Sequence, residues 1–183
     1  MNLACIRQKA HSVKSDRESP SASQVCWGAY IMTNQRALDV DWYQLIVTDG
    51  NGLKGSSVAD FVAPLIHRLG ASAVGMSDLE GAIPELKDYE DRVISPAAFL
   101  TKAASATQFD WAFIFLYVKN PSGELTDVDD KEAMLQADLT IRLADDTYFY
   151  VYGRDHNVMN DLRQRYPEAE FKVSKFFGLD IPY

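Results

Sequence analysis

The chain has 183 residues and a formal charge of −8, with 47% hydrophobic and 24% charged residues. That profile excludes a disordered chain and fits one globular domain able to bury its own core. The acidic balance works against nucleic acid and anionic lipid as partners, since both reward Lys and Arg, and no apolar run reaches the length of a membrane span.

The charge is unevenly spread. Residues 1–31 hold Arg7, Lys9, Lys14 and Arg17 against Asp16 and Glu18, a surplus of two, which leaves −10 on the remainder. Both cysteines, Cys5 and Cys26, lie in the same stretch, so the body lacks thiol chemistry and a reducing, cytoplasmic setting is expected. No apolar run follows the basic residues as a secretory signal requires. Residues 1–31 read as an N-terminal tail or appendage, with Val25–Ile31 apolar enough for a short strand. Met32-Thr33-Asn34-Gln35 resembles a start, which would make the tail an upstream extension of the reading frame. Residues 32–183 read as a single domain.

Trp42–Thr48 alternates as a half-buried strand and ends in the turn cluster Asp49-Gly50-Asn51-Gly52. Ser56–Leu69 repeats apolar residues at helical spacing, with Ser56 or Ser57 as cap and Gly70 as terminator. Pro64 predicts a kink or a helix that begins there. Gly75, Gly81 and Pro84 predict mostly loop over 71–94. Ser95-Pro96 opens an Ala-rich helix to Thr107. Phe109–Val118 is apolar at odd and even positions alike, the mark of a central strand covered on both faces. Asn120-Pro121-Ser122-Gly123 is a turn, and Thr126 or Asp127 can cap a short helix to Gln136. Leu139–Leu143 and Thr147–Gly153 form a hairpin around Asp145-Asp146. Asp155 or Asn157 caps a last helix stopped by Pro167, Phe171–Val173 is an edge strand, and 176–183 packs back over the core. The expected class is α+β, a mostly antiparallel mixed sheet of about five strands with helices packed on it.

Gly50, Gly52 and Gly55 fit G-x-G-x-x-G after a strand and before a helix, and Asp78 lies where a ribose-binding carboxylate would fall. Asp49 beside the turn would repel a phosphate, and the chain lacks repeating strand–helix units, so the turn reads first as a turn. Glu124, Asp127, Asp129, Asp130 and Glu132 do not match an EF-hand and read as a solvated helix start. His11, His67 and His156 are scattered and have no cysteine partner in the body, so no metal site is expected, nor any cofactor. No nucleophile elbow is present, so no catalytic residue is assigned and the reading leans away from an enzyme. Tyr148, Tyr150 and Tyr152 share a strand face with Arg142 of the neighbouring strand. Left open, that face is a protein-binding surface, since Tyr and Arg are favoured interface anchors. Covered by a helix, as the doubly covered central strand favours, its rings are core. The expected function is that of a small acidic interaction module. It would bind a macromolecular partner, a protein first and a basic one among the candidates, as an inhibitor or immunity-type protein does. The alternative is a nucleotide-binding protein or enzyme using the turn 50–55.

Overall fold

The computed structural model describes residues 37–50, 52–121, 125 and 129–182. The expected appendage 1–31, and Glu124 and Asp127 of the acidic cluster, lie outside the described residues. In chain order the elements are β1 (Trp42–Thr48), α1 (Gly55–Leu69), β2 (Ala73–Ala82), α2 (Pro84–Lys87), β3 (Val93–Ile94), α3 (Pro96–Ser105) and β4 (Gln108–Tyr117). They continue with α4 (Asp130–Gln136), β5 (Leu139–Ala144), β6 (Tyr148–Gly153), α5 (His156–Arg165), β7 (Glu170–Ser174) and a 3-10 turn at Phe176–Gly178.

The strands make one antiparallel sheet in the order β3-β2-β4-β5-β6-β1-β7, so the fold is α+β. Seven strands replace the expected five or so. The two additional ones are β2 and β3, in the stretch read as loop. Their glycines are strand features here. Gly75 leaves room for Leu125, whose Cδ1 lies 2.7 Å from where a Cβ would sit. Gly81 takes φ +123° and Asp78 φ +49° at irregularities of register between β2 and β4. Bulges of this kind kink a strand without ending it. β4 lies inside the sheet between β2 and β5, and residues 112–117 are all buried, as a doubly covered strand requires.

Helix α1 runs unbroken through Pro64 from Gly55, so it does not begin at the proline, and neither Ser56 nor Ser57 caps it: Lys54 holds that position without a side-chain bond. Gly55 is there for contact. A Cβ on it would lie 2.2 Å from the carbonyl oxygens of Ala103 and Ala106, where α3 ends against α1. Gly70 closes α1 in the left-handed conformation, φ +69°. Ser95 caps α3 by accepting from Ala98 N–H, Asp155 caps α5, and Asp129 caps α4 in place of the expected Thr126 or Asp127. Asp145 and Asp146 both take positive φ, 53° and 49°, the backbone that a tight hairpin turn demands.

The sheet separates two cores. On the first face Leu45, Ile114, Ile141, Phe149 and Val151 pack under α1, α3 and α5 through Val62, Leu65, Phe99 and Met159. On the second, Trp42, Phe113, Phe115, Tyr117 and Tyr152 lie under Ala133 and Met134 of α4, Leu125, and the chain end through Phe176, Leu179 and Ile181.

Candidate partner-binding face

The β5–β6 ladder pairs Thr140 with Tyr152, Arg142 with Tyr150 and Ala144 with Tyr148. Side chains opposite one another in an antiparallel pair share a face. The four expected residues therefore stand together on the second face, but at different depths. Tyr152 is fully buried, and its hydroxyl donates to the carbonyl of Asp180 at 2.6 Å. Arg142 is 1% exposed. Tyr148 and Tyr150 are partly exposed, their ring centroids 6.1 Å apart.

The covering layer over Tyr152 and Arg142 is the chain's own C-terminal segment, and one side chain holds it as a strand would. Gln44 donates from Nε2 to the Asp180 carbonyl and accepts from the Asp180 N–H at Oε1, both at 3.0 Å. The amide of a glutamine thus imitates a peptide group across a sheet edge. Arg142 Nε adds a bond to the carbonyl of Pro182 at 3.3 Å.

Arg142 is the electrostatic centre of this face. Its guanidinium lies over the rings of Phe113, 4.2 Å, and Trp111, 4.8 Å. Nη1 lies 2.6 Å from Asp78 Oδ2 as an ion pair without the alignment of a hydrogen bond. The left-handed backbone of Asp78 aims its carboxylate at the guanidinium. This is the role the structure gives to the residue that sequence spacing suggested for a ribose. Beside it, Ser77 Oγ donates to Asp130 Oδ1 at 2.5 Å. Burial raises the Asp130 carboxyl above the usual aspartate value, opposed by the Ser77 bond and assisted by the charge of Asp78. Asp91 is raised too, by burial and then by Glu90 and Asp130.

Among the described residues the covering layer gives out toward the β5–β6 turn. Trp111, at the start of β4, is partly exposed beside Arg142 of β5, with Tyr150 and Tyr148 on β6, the next strand beyond. Carboxylates surround these rings: Asp78, Glu80 (paired with Trp111 across β2–β4), Asp145 and Asp180, all exposed. Burial, followed by the negative charge of Asp180, raises the Tyr150 hydroxyl pKa, so the phenol stays neutral and can donate. A strand at Phe109–Val118 covered on both faces would have put Trp111 in the core with Phe113 and Phe115. The same alternation that put it on this face also put it at the strand's open start, next to exposed Asp110.

The chain matches no protein-family model, no curated protein and no solved structure. Function must come from the site's own chemistry.

The glycine turn offers less. β1 and β2, which flank α1, are separated in the sheet by β6, β5 and β4, so they do not form the adjacent parallel pair of a dinucleotide site. The N–H of Leu53 donates to Asp146 O and that of Lys54 to Gly52 O, and α3 presses on Gly55. Among the described residues no group of three or more His, Cys, Asp or Glu is placed to hold a metal ion, and no helix is long and apolar enough to cross a membrane.

Proposed function

We propose that the protein is an interaction module that binds a basic protein partner at the open end of the second face, through Trp111, Tyr148 and Tyr150. The observation that carries this is the position of those three rings: partly exposed, on one face of one sheet with β5 between Trp111 and the tyrosine pair, and bordered by carboxylates with the buried guanidinium of Arg142 beneath. Aromatic rings supply contact area at low entropic cost, and a rim of one charge sign steers and selects the opposite sign. Tyr152 and Arg142 act from below in this reading. Tyr152 fastens the chain end, and Arg142 fixes the rings and the Asp78 carboxylate. Binding without catalysis accounts for a site rich in aromatic area and poor in nucleophile–base pairs.

The test compares the wild-type chain with Tyr148→Ala/Tyr150→Ala and Trp111→Ala as baits in native lysate at low and high salt. The expected result is a basic protein held by the wild type, released by salt, and lost by both variants while their folding remains intact. A binder retained equally by all three baits would place the interface elsewhere.

A further inference from the structure

We propose that a second copy of this chain docks on the outer edge of β7, pairing the two β7 strands antiparallel about a twofold axis at Phe171. The edge is open: β7 has ladder bonds to β1 only, leaving its outer backbone groups without a strand among the described residues. The opposite edge of the sheet is different, a two-residue β3 with both residues half-buried. An exposed strand edge is a template for another strand, and charges along it decide which one is accepted.

Along β7 the second-face positions read Glu170, Lys172 and Ser174, the first two exposed. Twofold pairing centred on Glu170 or on Lys172 would set like charges opposite one another. Centred on Phe171, it sets Glu170 opposite Lys172 of the second copy and Lys172 opposite Glu170, with Phe171 facing Phe171. Opposite charges directly across a ladder are favourable and like charges unfavourable, so this register is selected for by the sequence of β7 itself. Lysine on an edge strand ordinarily repels a like neighbour; the glutamate two residues earlier neutralises it for one occupant, this same strand reversed.

The surroundings agree. Val173 is 49% exposed and Phe177 81%, large apolar groups gathered at one end of this edge. The turn bearing Phe177 folds back on β7, since a Cβ on Gly178 would meet Ser174 Oγ. In the proposed register Ser174 lies opposite Glu168 of the second copy. Phe177 is thereby brought to the second copy's segment Pro167–Ala169, which with Ile46, Thr48 and Tyr166 lines a cavity of about 250 Å³. Glu170 stands on the same face as Tyr150, across Ile46 of β1, but neither proposal requires the other.

The contact is short, below the roughly 1,200 Å² of stable interfaces, so association is expected at micromolar or weaker affinity. The measurement is sedimentation equilibrium of the full chain from about 10 to about 500 μM at physiological salt, where the like net charges are screened. The wild type is expected to approach twice its chain mass across that range. Glu170→Lys and Lys172→Glu each turn two attractive pairs into two repulsive ones, and each is expected to weaken self-association about tenfold. An equimolar mixture of the two restores it, because lysines of one chain then face glutamates of the other; the double exchange Glu170→Lys/Lys172→Glu restores it as well. Phe177→Ser, at a site too exposed to disturb the core, is expected to weaken it also. A wild type that stays monomeric throughout, or charge variants that associate as the wild type does, overturns the proposal.

Discussion

The two faces of the sheet are covered by different means. On the first, three helices lay apolar side chains on apolar strands, and the contact is non-directional. On the second, Gln44, Thr140 and Arg142 are buried among aromatic rings, beneath one short helix and an irregular chain end. Burial on the first face depends on area. On the second, apolar contact is joined by a few directed bonds, to Asp180 and Pro182, that hold the chain end over buried polar groups. The difference shows at the β5–β6 turn, where among the described residues the second face's cover ends part-way and leaves Trp111, Tyr148 and Tyr150 partly exposed.

The largest effect is expected on the first face. Phe149 stacks on Phe61 at 4.0 Å between ring centroids, and both are buried. Phe149→Ala is expected to cost about 3–5 kcal/mol in urea unfolding, transfer and cavity together. A loss of under about 1 kcal/mol would mean that this core can collapse, contrary to its helical cover.

Next comes the ion pair below the open rings. Asp78→Asn keeps a side chain that tolerates positive φ and removes the counter-charge of a buried guanidinium. Breaking a buried pair from one side costs about 3–5 kcal/mol; because Asp78 is 41% exposed, about 2–3 kcal/mol is expected. Adding Arg142→Met should recover part of that loss, since the uncompensated charge goes with it. A double variant no more stable than Asp78→Asn would show that packing on Trp111 and Phe113, and not charge, dominates at Arg142.

Why the first face was legible in detail and the second only in outline follows from the same contrast. Leu139, Ile141 and Leu143 against Phe149 and Val151 is a period-two pattern, and α1 and α5 carry apolar spacing of three and four, so those elements could be read from the chain directly. Ser95, Asp155 and Gly70 announced helix ends because capping chemistry is local. β2 was hidden because Gly75 and Gly81 look like breakers until Leu125 and β4 are seen to need the space. The tyrosine–arginine face was expected as a unit and does stand as one. Its division into buried and open halves depends on Gln44, which meets Asp180 across 136 residues. A contact at that distance has no sequence period. Trp111 joins the candidate site by lying just beyond the cover, another fact of position and not of composition.

The chain end supplies a smaller effect. Gln44→Leu removes both bonds to the Asp180 backbone, and Tyr152→Phe removes the third. At about 1 kcal/mol each, the glutamine variant should lose about 2 kcal/mol and the tyrosine variant about 1. Amide hydrogen exchange separates this from a general loosening. Asp180 N–H is expected to exchange faster in Gln44→Leu while the amides of β4 and β5 stay protected. If β4 and β5 lose protection in step, the chain end belongs to the same cooperative unit as the sheet.

The smallest effect concerns pH. Asp130 has its carboxyl raised by burial first, with Asp78 and Asp129 adding to the rise and Ser77 and Arg142 opposing it. A raised carboxyl in the folded state means that the folded chain binds the proton more tightly than the unfolded chain does. Ionising Asp130 therefore costs stability, fully so above its raised value, and the cost vanishes as pH falls toward the ordinary aspartate value of 3.8. Asp130→Asn can still accept from Ser77 but carries no charge to bury. Its melting temperature is expected to exceed the wild type's at neutral pH, with the gap closing under mild acid. A gap that instead widened on acidification would mean that the charge is favoured where it sits, and that Arg142 serves Asp130 as much as Asp78. The second face would then be organised around one cation shared by two carboxylates, with Trp111 and Tyr150 resting on a triad and not on a pair.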